Sequence, residues 1–342
     1  EYDAIVGIGM VESLLQNALK KIVHNTKRVA MGISGGVDTS TVLALTRAAF
    51  PDLTIRTYCV AFGKERLECK EAAHVASLYG TKHEEVIVDK PFEKLSDHIR
   101  IVGEPRWNLY TAYLFEKAAQ EGCELLLTGD GGDELFGGYT FRYEHALRCS
   151  RFGPMDYLNA HERDWVPDQT ELLPCLNWDD IYAHLNQYLN VPLPCLGQVF
   201  LTDFNGKFLH DFLPTNTAFS RHYNVRADSP FLQPEVIYTA SHVPYRLKYD
   251  PINKMGKLML RNILFLHSGV QVAVRNKVGF GMNLDSMWDS HVREICEAHL
   301  KQSKLGSVGI NTKWLPSGFK NADEHDLRYI SKMLGLLAVQ LW

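Results

Sequence analysis

Val29-Ala30-Met31-Gly32-Ile33-Ser34-Gly35-Gly36-Val37-Asp38-Thr39-Ser40 decides how the rest of the chain is read. Val29 to Ile33 is an apolar run of strand length, and Thr41-Val42-Leu43-Ala44-Leu45-Thr46-Arg47-Ala48-Ala49 reads as a helix. Between them, Gly35 and Gly36 let the backbone turn tightly, so that its N–H groups and the helix N-terminus converge on an anion. Hydroxyls at Ser34, Thr39 and Ser40 add hydrogen bonds to phosphate oxygens. Asp38 is a carboxylate that phosphate alone would repel, and a metal ion accounts for it. The loop is neither Gly-x-x-x-x-Gly-Lys-[Ser/Thr] nor Gly-x-Gly-x-x-Gly, which disfavours a kinase-type cradle and leaves a dinucleotide fold without its fingerprint.

Outward from this loop the chain alternates. An amphipathic helix over 10–24 precedes it, and Thr54 to Phe62 is a second strand. Glu68–Tyr79 is a helix closed by Gly80, Glu84–Val88 a third strand, Thr111–Glu121 a helix stopped by Gly122, and Glu124–Thr128 a fourth strand. This order predicts an α/β fold with a parallel, doubly wound sheet and right-handed crossovers, binding ligands beyond the carboxyl ends of its strands. From residue 141 the alternation stops, and Pro- and Trp-rich connections (Pro154, Trp165, Pro167, Pro174, Trp178) predict a mostly helical lobe over those ends. We divide the chain into a lead-in over 1–24, a nucleotide-binding sheet over 25–140 and a lobe over 141–342 that completes the same domain.

Composition narrows the classes. With 342 residues, 46% hydrophobic and 22% charged, the chain has ample length for a core. Its net charge of −4 and the lack of Lys/Arg runs interleaved with aromatics argue against nucleic acid as a partner. No apolar run reaches the ~18 residues of a membrane helix and no basic leader precedes one, so no membrane association and a cytoplasmic location are expected. The seven cysteines are scattered and never spaced Cys-x-x-Cys, which disfavours a disulfide framework, a zinc site or a sulfur-transfer site. Position 1 is Glu rather than Met, consistent with an upstream part.

A second informative stretch, Thr128-Gly129-Asp130-Gly131-Gly132-Asp133-Glu134-Leu135-Phe136-Gly137-Gly138-Tyr139, follows the fourth strand. Glycines and carboxylates make a poor core and a plausible site rim, and a second acidic group suits a Mg²⁺ bridging ATP phosphates. The first loop resembles the pyrophosphate-binding loop of the PP-loop ATP pyrophosphatases. The two stretches, spaced by roughly ninety residues, resemble the synthetase domain of the asparagine synthetase B family. Ser229-Pro230-Phe231-Leu232, Gly256-Lys257-Leu258-Met259-Leu260-Arg261, Arg275-Asn276-Lys277-Val278-Gly279-Phe280 and the closing Leu341-Trp342 extend the resemblance along the chain in the family's order.

The resemblance implies ATP and Mg²⁺ as cofactors and an AMP-forming ligase that adenylates a small carboxylate, most simply aspartate, and passes ammonia to it. Ser34, Gly35, Gly36, Asp38, Thr39, Ser40, Lys257 and Arg261 would hold the phosphates. Asp38 and Asp133 would ligate the metal, and Gly32, Val60, Phe62, Thr128 and Gly129 would flank the adenosine. Lys277 and Arg275 would neutralise charge in the reaction, and Asp130 stands where many relatives carry a Glu that orients or deprotonates the amine. No N-terminal glutaminase domain is recognisable, so ammonia would come from solution, an upstream segment or a separate glutaminase subunit. Oligomeric state is open, a homodimer included.

Departures bear on the substrate. Where relatives read Glu-x-Arg before Pro-Phe-Leu-Asp, this chain has Arg226-Ala227-Asp228-Ser229-Pro230-Phe231-Leu232-Gln233, an exchange that keeps both charges available for an internal ion pair. Asn108 replaces a family Asp, and Thr217-Ala218-Phe219-Ser220-Arg221 replaces Asp-Arg-x-Ser-Met. A related ligase acting on another carboxylate or amine is the nearest alternative. A tRNA-modifying PP-loop enzyme and a non-catalytic nucleotide-binding subunit are more distant ones.

Overall fold

Five short strands carry the architecture. The computed structural model describes residues 4–62, 67–161, 165–269, 284–301 and 303–342. In chain order it forms α1 (Ala4–Val23), β1 (Arg28–Gly32), α2 (Val37–Ala49), β2 (Thr54–Phe62), α3 (Leu67–Leu78), β3 (Lys82–Val88), α4 (Leu95–Val102), α5 (Thr111–Gln120), β4 (Leu125–Leu127) and α6 (Gly132–Phe136). A fifth strand, β5 (Arg226–Asp228), joins from much later in the chain. The sheet order is β3-β2-β1-β4-β5 and every pairing is parallel.

Side-chain alternation explains why the sheet is covered on both faces. Ala30, Tyr58, Val60 and Leu126 point into one apolar cluster with Leu114, Phe115 and Phe219. Val29, Met31, Cys59, Leu125 and Leu127 point into another with Leu15, Leu43, Leu260 and Ile263. The first face holds α4, α5 and the helices Phe212–Tyr223 and Leu327–Leu341; the second holds α1, α2 and the helix Leu258–Ser268.

Because sequential crossovers run outward from β1 to β3 on one side and to β4 on the other, the winding direction reverses between β1 and β4. Brackets of this kind open a crevice at the strand ends, where the two glycine-rich loops emerge. The region after α6 is mostly helical, with α7 (Thr140–Arg148), α8 (Pro154–Asn159) and the helix Cys195–Leu201 around a small cluster of Tyr139, Tyr143, Phe152, Tyr157 and Leu196. The helix Cys195–Leu201 runs into a π-helical turn over Thr202–Lys207. Among the described residues, no helix is long and apolar enough to cross a membrane.

The elements read from sequence recur, with shifts of a few residues at most at their ends except for the first helix, which begins at Ala4 rather than at residue 10, while α4, α6 and β5 are additions. Arg226 and Asp228 do not pair with each other: the Arg226 guanidinium donates to the carbonyl of Ile22 on α1, and Asp228 Oδ1 accepts from the Ser229 N–H (2.9 Å) and from Gln233 Nε2 (3.3 Å). The amide that replaces a family carboxylate at 233 thus donates to the carboxylate that replaces a family arginine at 228. A charge left at 233 would face Asp228 as a like charge.

Candidate functional site

Helix α2 begins at the switch point without a side-chain cap, its N-cap position being Gly36. The first N–H groups of such a helix lack intrahelical acceptors and carry the positive end of its dipole. Gly35 supplies the turn with φ +75°, open to glycine and strained for other residues. Ser34 and Ser40 are buried, and Thr39 half-buried. Thr41 and Thr46, lower on the helix, bond back to the carbonyls of Val37 and Val42 at 2.7 Å. The enclosed hydroxyls of Thr39 and Ser40 make no such bond and have no partner at all. Two donors held without an acceptor beside an uncapped helix start suit the oxygens of a phosphate chain.

The second loop presses onto the first. A Cβ on Gly132 would stand 2.6 Å from Asp38 Cγ, and one on Gly138 would stand 1.5 Å from Asp133 Oδ1. Only glycine lets the backbone approach both carboxylates this closely. The ammonium of Lys257 enters between them. It pairs with Asp38 Oδ2 and, at 2.8 Å, with Asp133 Oδ1. Lys257 is 5% exposed, with φ 59° at the start of the helix Leu258–Ser268, and its N–H donates to Phe136 O at 3.1 Å. Burial alone would lower its pKa, but the charges of Asp133 and Asp38 outweigh that and hold it above the ordinary lysine value. One turn on, Arg261 Nε donates to Gly256 O at 2.9 Å; burial lowers its pKa and the nearby Asp38 opposes the shift.

Asp38 and Asp133 are hard oxygen donors converging on one cation, the donor chemistry Mg²⁺ takes beside phosphate. Their convergence on an ammonium and the partnerless hydroxyls beside them are the features by which these residues fit a metal–triphosphate ligand.

Asp130 turns away from that pair. Its Oδ2 accepts from Asn216 Nδ2 at 2.8 Å, and its backbone carbonyl from Ser229 Oγ at 2.7 Å. Burial raises its pKa, with hydrogen bonds from Thr128 and Asn216 opposing. Gly32 ends β1, where a Cβ would meet Leu114 Cδ1 at 2.6 Å. Thr128 N–H donates to Asp228 O at 3.0 Å, and a Cβ on Gly129 would stand 3.1 Å from Asp38 Cβ. Phe62, at the end of β2, meets Tyr113 edge-on at 6.2 Å, whereas Val60 packs into the core. Lys277 and Arg275 lie outside the described residues.

Sequence reasoning missed the groups behind the second loop. Glu134 is buried and accepts from the Tyr139 hydroxyl at 2.6 Å; burial first, and then the charge of Asp133, push its pKa up to about 8. Arg142 and Asp203, both fully buried, pair at 2.8 Å, and the Tyr157 hydroxyl donates to the same Asp203 oxygen at 2.7 Å. Asn216 was missed too, since a single amide in a helix has no local signature.

Comparison with known proteins gives this site its family. The asparagine synthase family model matches residues 10–342, and the chain belongs to that family. A provisionally assigned glutamine-hydrolysing asparagine synthetase of Methanocaldococcus jannaschii is 29% identical over 160 residues, covering 45% of this chain and 28% of that protein. Asparagine synthetase (glutamine-hydrolysing) 1 of Bacillus subtilis is 28% identical over 142 residues, covering 38% of this chain and 21% of its own. The matched part is therefore less than a third of either relative's length. Among solved structures, a U34-tRNA thiolase of Methanococcus maripaludis aligns over 71% of this chain and 82% of its own at 14% identity and a TM-score of 0.32, too loose a likeness to bear on function.

Proposed function

We propose that this chain is an ATP-dependent, AMP- and pyrophosphate-forming amide ligase that activates a small carboxylate as its adenylate and transfers ammonia to it. The observation that carries the reading is the convergence of Asp38, Asp133 and Lys257 beside the uncapped start of α2. Family membership supports it.

In this mechanism the N–H groups at 35–39 and the hydroxyls of Ser34, Thr39 and Ser40 hold the β- and γ-phosphates. Asp38 and Asp133 hold Mg²⁺, which when bound neutralises phosphate charge. Lys257 and Arg261 hold the departing pyrophosphate, and Lys277 and Arg275 are assigned to charge at the α-phosphorus. Gly32, Val60, Phe62, Thr128 and Gly129 flank the adenosine, through main chain at Val60. The substrate carboxylate attacks the α-phosphorus, pyrophosphate leaves, and ammonia attacks the acyl carbonyl to release AMP. Such chemistry depends on positioning and charge neutralisation rather than on a protein nucleophile. Asp130, with its carboxyl fixed by Asn216 and its pKa raised, accepts the proton the amine loses. We assign the activity to the cytoplasm.

Aspartate is the simplest substrate, but the Asp228–Gln233 bond in place of the family's charged residues favours a second reading, in which a different carboxylate is activated. Pyrophosphate release with ATP, Mg²⁺ and aspartate, with and without ammonium, tests both. Aspartate-dependent release with asparagine formed supports the first; release with another carboxylate alone supports the second. No release with any carboxylate would refute the ligase.

A further inference from the structure

A second cluster lies in the helical lobe, away from the carboxylates that face Lys257. His145 is in the last turn of α7, Cys149 caps that helix, and Asp156 is in the first turn of α8. One ligand-type atom from each lies within 4.8 Å of the other two. His145 Nε2 is 3.5 Å from Asp156 Oδ1, and Cys149 Sγ is 4.0 Å from the same oxygen. We infer that His145, Cys149 and Asp156 form a three-ligand zinc site whose fourth position is left to water.

The donor chemistry selects the ion. Thiolate, imidazole and carboxylate together suit Zn²⁺, whose bonds of about 2.0–2.3 Å in a tetrahedron separate ligand atoms by roughly 3.3–3.6 Å. The 3.5 Å His145–Asp156 separation falls in that range, and the 4.0 Å Cys149–Asp156 separation exceeds it by a few tenths of an ångström. His145 Nε2 is enclosed yet makes no hydrogen bond, leaving its lone pair to the centre of the cluster. Both outer groups are oriented from behind. Asp156 Oδ2 accepts the Gly153 N–H at 2.9 Å, which directs Oδ1 inward, and the His145 ring packs edge-on to Phe152 at 5.9 Å. Support of this sort is what metal ligands ordinarily carry.

Cys195 stands beside the cluster but outside the group of ligand atoms. It begins the helix Cys195–Leu201, packs with Cys149 against the same apolar cluster, and its thiol lies against α7 at the carbonyl of Ala146, 3.7 Å away. Cys149 would bind the metal as its thiolate, releasing a proton. The spacing 145, 149, 156 contains no Cys-x-x-Cys, which is why the sequence argued against zinc. The ion would staple α7, which starts directly after Tyr139, to α8.

Cobalt(II) titration of the thiol-reduced full chain tests this. Expected is one equivalent bound with tetrahedral visible bands and a near-ultraviolet thiolate charge-transfer band, displaced by Zn²⁺. Cys149→Ser should remove the charge-transfer band and tight binding, and Cys195→Ser should leave both, while circular dichroism shows the fold kept in each. Absence of the tetrahedral spectrum in the reduced wild-type chain, or its persistence unchanged in Cys149→Ser, would overturn the site.

Discussion

Lys257 reaches across 219 residues of sequence to pair with Asp38, and the same ammonium holds Asp133 at 2.8 Å. The one ammonium offsets half the charge of the two carboxylates and separates them. Removing the cation from a buried cluster leaves like charges facing each other, typically a loss of about 3–5 kcal/mol. Lys257→Met should therefore lower the urea midpoint without divalent ions, and added Mg²⁺ should recover part of the loss. An unchanged midpoint would show that the ion pair is not a structural element.

Ser40 separates binding from stability. Its hydroxyl is enclosed and partnerless, so Ser40→Ala should leave thermal stability unchanged or slightly higher. A hydrogen bond to a charged group contributes about 1.5–3 kcal/mol, so KM for ATP should rise roughly 10- to 100-fold. A stability loss with unchanged KM would remove this hydroxyl from the phosphate site.

Gly132→Ala inserts a methyl 2.6 Å from Asp38 Cγ. Misplacement of a positioning group by about 1 Å costs roughly 10²-fold in rate. Pyrophosphate release should fall by that order in a folded protein, and near-normal turnover would mean that Asp38 is not used.

Glu134 gives stability a pH dependence whose sign is fixed. Its pKa is about 8 in the fold against 4.5 as the ordinary value, so between those limits the folded state binds more protons than the unfolded one. Its contribution is complete below about 4.5 and is lost as pH rises towards 8. His98, lowered from 6.5 to about 4 mainly by burial, acts oppositely and loses its contribution as pH falls through that range. Comparing Glu134→Gln with wild type isolates the carboxyl: the difference in Tm should shift steadily in favour of the variant from pH 5 to pH 8. A constant difference would place the titration elsewhere.

The strand-loop-helix at 28–49 was legible because its signals are local: apolar strand, glycine turn, helix. β5 was not, because Arg226-Ala227-Asp228 is three residues long and two of them are charged; it is a strand only because β4 offers it an edge. Site legibility divides the same way. Asp38 and Asp133 stood out within their motifs, whereas the sequence favoured Lys277 over Lys257, since an ion pair between distant residues leaves no periodicity. The Arg226–Asp228 ion pair failed for a related reason: each found a closer partner, at Ile22 and Gln233.

The late arrival of β5 and Lys257 sets an order of events during synthesis. A ribosome that has released residues 25–140 has delivered both glycine loops but neither the edge strand at 226–228 nor the cation at 257. Until residue 257 has emerged, Asp38 and Asp133 lack the lysine that separates them. The nascent sheet is thus incomplete until residue 228 has emerged, and closure of the site is a long-range event rather than a property of residues 25–140 alone.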